Sequence, residues 1–90
     1  MKLHAIVRGR VQGVGFRWWA QYRAEELGLG GWVRNLPDRA VEVVAYGPQE
    51  AIDRLEGLLR DGPPGSYVQS VVVDRGEGEG DGGGFRIEFI

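Results

Sequence analysis

The sequence predicts an α+β domain of the split β-α-β, ferredoxin-like kind, with two helices on one face of a mainly antiparallel sheet. Three observations carry this prediction. β-rich runs and two stretches of helical spacing follow one another in the order β-α-β-β-α-β, and a short alternating tail adds a final strand. Glycine or proline punctuates most junctions. The chain of 90 residues is long enough for one core and too short for two, so residues 1–90 are expected to form a single domain.

Leu3 to Arg8 alternate loosely around Ile6 and Val7 and read as a central strand. A glycine-punctuated turn follows. From about Phe16 to Leu27 the apolar positions Phe16, Trp19 or Ala20, Ala24 and Leu27 mark one face of a helix, with Arg23, Glu25 and Glu26 outward. Trp18 and Trp19 are adjacent, so only one of them can face the core; the other packs along the helix side or near a site mouth. Gly28 suits a left-handed cap at the helix end. Trp32 to Leu36 and Ala40 to Tyr46 are β-rich runs joined through Pro37-Asp38, which reads as a hairpin. Arg39 stands in that turn where Gly or Asn would be easier, so slight strain is expected. Gly47-Pro48 opens the second helix, and Ile52, Leu55, Leu58 and Leu59 form its apolar face. Glu50/Arg54 and Glu56/Arg60 are favourable i,i+4 pairs, while Gly57 costs roughly 1 kcal/mol against Ala. Gly62-Pro63-Pro64-Gly65 stops the helix, and the valine-rich run from about Tyr67 to Asp74 is a further strand. Gly76 to Gly84 contains no apolar residue and is expected to be a mobile surface loop. Phe85 to Phe89 alternates cleanly, with Phe85, Ile87 and Phe89 expected inward.

Composition narrows the chemistry. Ten arginines and one lysine stand against thirteen acids, a net charge of −2, so attraction to nucleic acid or to an anionic membrane must be local if it exists at all. There is no cysteine, which excludes disulfides, thiolate metal sites and a cysteine nucleophile. No signal-peptide pattern and no membrane-length apolar run is seen, so a cytoplasmic protein is expected. The chain has no Thr, two Ser (Ser66, Ser70), one His (His4) and one Asn (Asn35). The acidic stretch from Glu77 to Asp81 is too rich in glycine to be a preorganised cation site.

The stretch Gly9-Arg10-Val11-Gln12-Gly13-Val14-Gly15-Phe16-Arg17 stands apart. A glycine-rich turn between strand and helix leaves backbone N–H groups free at the helix start, where an anion fits. Arg17 in the first helical turn opposes the macrodipole, and that placement becomes favourable if an anion lies between the amides and the guanidinium. A phosphate-sized anion held by Val11, Gln12, Gly13, Val14, Gly15, Phe16 and Arg17 is therefore expected, against the plain alternative that the glycines only reverse the chain. The loop lacks the Gly-Lys-Ser/Thr ending of a nucleotide P-loop and any side chain able to form a covalent intermediate. Arg8 and Arg34 read as rim residues or partners of acids, and His4 as structural or exposed. In the split β-α-β topology Asn35, near the end of the second strand, approaches the loop; taken alone it equally suits a turn cap.

The loop together with Gly31-Trp32-Val33-Arg34-Asn35-Leu36-Pro37-Asp38 closely resembles the acylphosphatase family, and the similarity continues through Val41 to Gly47 and Gly62 to Val73. The resemblance implies hydrolysis of a small-molecule acyl phosphate to carboxylate and inorganic phosphate without cofactor or metal. It further implies that Arg17 binds the phosphate and Asn35 orients the attacking water. Arg39 departs from the glycine common at its position. The alternative is a non-catalytic module of the same fold that binds phosphate or carbamoyl phosphate. An RNA-binding reading is poor, since Val41-Glu42-Val43-Val44-Ala45-Tyr46 carries a carboxylate and no aromatic pair. No obvious exposed apolar stripe is present, and a monomer is expected.

Overall fold

In the computed structural model, which describes residues 1–80 and 82–89, seven elements follow the predicted order. They are β1 (Lys2–Arg10), α1 (Phe16–Glu26), β2 (Gly30–Asn35), β3 (Val41–Tyr46), α2 (Gln49–Asp61), β4 (Tyr67–Gly76) and β5 (Phe85–Ile87). The strands form one sheet in the order β4-β1-β3-β2-β5. All pairings are antiparallel except β2 with β5. β3 therefore separates β1 from β2, which run parallel to each other, and the β1–α1 turn and the β2–β3 turn emerge at the same end of the sheet.

The core lies between the sheet and the two helices. Leu3, Ala5 and Val7 of β1, Val33 of β2, and Val41, Val43 and Ala45 of β3 are fully buried. They meet Phe16, Ala20 and Ala24 of α1 and Ile52, Leu55 and Leu59 of α2. The period of two in the strands and of 3.6 in the helices is thus what the packing uses. Leu58 lies at the margin of its helix face, half-buried.

Gly28 ends α1 in the left-handed conformation, φ 71°. Its N–H donates to the Glu25 carbonyl (3.0 Å) and that of Leu29 to the Ala24 carbonyl (2.9 Å), the pair of bonds of a Schellman motif. Buried Leu29 follows as its apolar partner and takes the deeper place expected of Leu27, which is half-buried. In the β2–β3 hairpin the Arg39 N–H donates to the Leu36 carbonyl (3.1 Å) and the Leu36 N–H to the Ala40 carbonyl (2.8 Å). Arg39 then sits at φ 75°, the expected strained position. No helix among the described residues is long and apolar enough to cross a membrane.

Two expectations need correction. Phe89 does not point inward: β5 ends at Ile87, and Phe89 is 77% exposed. Only three residues of β5 pair with β2, and beyond Val33↔Ile87 the chain leaves the sheet, so alternation no longer dictates which side is covered. The Glu50/Arg54 pair does not form among the described residues, although Glu56–Arg60 does (3.1 Å). Glu50 and Arg54 are both exposed, where an ion pair gains little over hydration. Within the glycine-rich segment after β4, Asp81 lies outside the described residues.

The sheet face without helices is mixed, with Ile6, Trp32, Val44 and Val72 beside charged side chains. Glu42 of β3 accepts from His4 Nε2 of β1 (2.7 Å) and from Arg34 Nε of β2 (2.7 Å). Arg34 also lies 4.9 Å above the Trp32 ring. Burial pushes the Glu42 carboxyl up, but the hydrogen bonds from His4 and Arg34 outweigh it and hold the group below its ordinary value.

Candidate active site

The site is built where β1 feeds α1. β1 shifts register against β4 between Arg8 and Gly9, and the chain then turns through residues 11–15. Gly13 and Gly15 both adopt positive φ (76° and 75°), which costs nothing without a Cβ and turns successive amides toward one side. Gly15 is the N-cap of α1, no side chain caps that helix, and no acid occupies its first turn. Its first helical bond runs from the Trp19 N–H to the Gly15 carbonyl (3.0 Å). The amides of Phe16, Arg17 and Trp18 consequently have no helical acceptor, and the positive end of the helix dipole is left open.

A cleft of about 190 Å³ lies at this point, lined by Val11, Gly13, Gly15, Phe16, Arg17, Trp18 and Asn35. Of the loop residues singled out in the sequence, Val11, Gly13, Gly15 and Phe16 line it; Gln12 and Val14 do not. Val11 and Phe16 are buried as whole residues, backbone included. Gln12 does something else. Its Nε2 donates to the Leu36 carbonyl (2.9 Å) and the Ala40 carbonyl (2.8 Å), tying the loop to the β2–β3 turn. Val14 packs against the core. Trp18 is 69% exposed at the cleft mouth, while Trp19 turns inward and meets Phe16 edge-on at 5.3 Å.

Arg17 has no acidic partner among the described residues. Its guanidinium instead lies 5.1 Å over the Phe89 ring. Two other arginines are neutralised, Arg8 by Asp38 (2.8 Å) and Arg34 by Glu42. The Arg8 hydrogen bond, followed by that of the Ala40 N–H, holds the Asp38 carboxyl below its ordinary value. The turn is thus capped by Asp38, not by Asn35. Asn35 lines the cleft from the end of β2, and its Oδ1 is buried with no hydrogen-bond partner. An orphaned acceptor at a cleft, beside an unpaired guanidinium, is an arrangement a purely structural design avoids.

A second, open groove of about 370 Å³ adjoins the cleft and shares Arg17 and Asn35 with it; Leu36, Pro37, Glu88 and Phe89 complete its lining. Leu36 and Pro37 follow Asn35 directly, but nothing in the local pattern pointed to Phe89. A depression of similar size at the opposite end of the sheet, lined by Met1, Tyr46 and the glycines of 78–82, carries no arginine, lysine or amide side chain suited to an anion. Among the described residues no three His, Asp or Glu converge as a metal site.

The family model described as acylphosphatase matches residues 3–87. The chain is 52% identical over 89 residues to an acylphosphatase of Acidothermus cellulolyticus, covering 94% of this chain and 84% of that protein. It is 52% identical over 79 residues to one of Thermus thermophilus, covering 88% and 90%. Among solved structures, the acylphosphatase from Bacillus subtilis superposes with a TM-score of 0.92 at 37% identity, over 97% of both chains. HypF of T. kodakarensis superposes at 0.82 with 33% identity over all of this chain and 12% of that one.

Proposed function

The chain belongs to the acylphosphatase family and is a hydrolase of acyl phosphates; we propose that it works by in-line attack of water on a phosphoryl group held by the loop amides and Arg17, with Asn35 orienting the water. The observation that carries this reading is the juxtaposition, among the described residues, of an unpaired guanidinium, uncapped helix amides and the orphaned Asn35 Oδ1 around one cleft with room for a phosphoryl group.

An acyl phosphate is already activated, since its leaving group is a stabilised carboxylate needing little protonation. The catalyst must fix the phosphoryl group and stabilise charge on its equatorial oxygens. The amides of the cleft-lining loop residues and the forked guanidinium of Arg17 do both, and a planar fork meets two oxygens at once. The carboxamide of Asn35 is no base near neutral pH; its Oδ1 accepts from the water, which fixes the direction of approach. The water's proton passes to a phosphate oxygen of the substrate, and phosphate leaves without a covalent enzyme intermediate. The small-molecule substrate brings all the reacting atoms except the water, so no cofactor is required.

The test is hydrolysis of benzoyl phosphate in the presence of a chelator, with inorganic phosphate as competitive inhibitor. Arg17→Ala is expected to lower kcat/KM by about 10²- to 10³-fold or more and to abolish phosphate inhibition. Asn35→Ala is expected to lower kcat by about 10²-fold while leaving phosphate inhibition within about twofold. Equal loss of phosphate affinity in both variants, or activity that needs added metal, refutes the division of labour.

A further inference from the structure

We propose that Phe89 is a positioning residue, and that its ring, lying against the Arg17 guanidinium, holds that cation at the cleft without neutralising its charge. This rests on the reading that Arg17 binds the phosphoryl group. Arg17 stands in the first turn of α1, where there is no acid and no capping side chain, and it has no carboxylate partner among the described residues. A long side chain without a partner spreads over many rotamers, and fixing it on the substrate costs affinity. An aspartate or glutamate beside it would fix it, but that carboxylate would compete with the phosphate oxygens for the same N–H groups. The face of an aromatic ring attracts a cation and carries no formal negative charge. It steadies the guanidinium and leaves its donors free.

The geometry matches this role. The guanidinium carbon of Arg17 lies 5.1 Å from the centre of the Phe89 ring, within the range of cation–π attraction. Phe89 is 77% exposed, so packing into the core is not what places it there. Its backbone is fixed instead: the Glu88 N–H donates to the Val33 carbonyl (2.9 Å), which extends the β2–β5 pairing by one residue and delivers Phe89 beside the cleft. Glu88 and Phe89 both border the groove that Arg17 and Asn35 share with the cleft. Of these two neighbours the acid is already engaged, since Glu88 Oε1 accepts from Arg86 Nε (3.1 Å), and the ring is the one that meets Arg17. Two other arginines lie over rings, Arg23 over Tyr22 at 5.8 Å and Arg34 over Trp32 at 4.9 Å. Each of those is also paired to a carboxylate, Arg23 to Glu26 and Arg34 to Glu42. Among the described residues, Arg17 is the arginine whose ring contact stands alone.

The test measures kcat/KM for benzoyl phosphate and acetyl phosphate, with inhibition by inorganic phosphate, in wild type, Phe89→Ala, Phe89→Leu and Phe89→Tyr. Phe89→Ala is also made in the Arg17→Ala background. Phe89 is exposed, so all the variants at this position are expected to fold. Phe89→Ala should lower kcat/KM about fivefold, by the same factor on both substrates, and weaken phosphate inhibition in parallel. Phe89→Tyr, which keeps the ring face, should restore both. Phe89→Leu, which is apolar but has no ring face, should not. In the Arg17→Ala background, Phe89→Ala should leave the residual kcat/KM unchanged, because the group it positions is gone. Rescue by leucine, a loss confined to one substrate, unchanged phosphate inhibition in Phe89→Ala, or a further loss without Arg17 overturns the proposal. Phosphate inhibition that survives Arg17→Ala overturns the phosphoryl site itself. Inhibition that Arg17→Ala abolishes and Phe89→Ala leaves intact overturns the positioning role alone.

Discussion

Arg39 shows how a single residue can work against the conformation it occupies. Its φ of 75° closes the hairpin turn, yet an L-residue with a side chain pays about 1 kcal/mol or more there. Its side chain is exposed, and no hydrogen bond or ion pair is seen for it among the described residues. Arg39→Gly removes the steric cost and adds a smaller entropy cost in the unfolded chain. The expected outcome is a rise in Tm of a few degrees by calorimetry, with kcat/KM for benzoyl phosphate within about twofold of wild type. A fall in Tm would show that the turn is unstrained. Asn35 and Arg17 illustrate the opposite situation. Each forgoes the partner that a structural residue would have, and both are gathered at the one cleft where the helix dipole is uncovered.

At the scale of the element, α2 is the helix with the clearest internal defect. Its apolar face is continuous through Ile52, Leu55 and Leu59, but Gly57 interrupts the exposed side. A Cβ built at Gly57 meets nothing within 4 Å, and its φ is not positive. Gly57→Ala therefore adds helix propensity without a clash and is expected to stabilise by about 0.5–1 kcal/mol in denaturant unfolding, with an unchanged m-value. α1 needs the reverse logic. Its uncapped start costs stability and is expected to be relieved by a bound anion, so inorganic phosphate should raise Tm in wild type and not in Arg17→Ala.

Across the whole molecule, two carboxylates bind elements together. Glu42 joins β1, β3 and β2 through His4 and Arg34. Glu56 joins α2 to β4 through Arg75 (2.8 Å), which also holds Asp53 (2.6 Å). The hydrogen bond from Arg75, working against burial, holds Glu56 below its ordinary 4.5; for Glu42 burial is the larger influence, and its two hydrogen bonds overcome it. Because both groups have lower values folded than unfolded, the unfolded chain binds more protons between the two values. Their stabilisation is fully present above about pH 4.5 and is lost as pH falls through the lowered folded values. The denaturant midpoint should therefore drop on going from pH 6 to pH 3, and Glu42→Gln should reduce the size of that drop. An identical drop in the variant would mean that Glu42 carries none of it. The pairs are partly exposed, so the effect is modest, on the order of 1 kcal/mol.

The sequence by itself determined the element order, the two helix faces, the Gly28 cap, the strained Arg39 and the oddity of Arg17. All of these follow from short-range physics: periodicity, backbone sterics and the dipole of a single helix. The tertiary structure decided the rest. Asn35, which only the predicted topology and not local spacing brought toward the loop, lines the cleft because β3 inserts between β1 and β2 and brings both turns to one end of the sheet, 18 residues along the chain from Arg17. The Gln12 side chain braces the loop, because the hairpin carbonyls of Leu36 and Ala40 come within its reach only in the folded chain. Phe89 was misread for the same reason: alternation assumes a strand covered on one side, and β5 stops two residues before it. The ring is left beside Arg17, in a place only the packed sheet defines.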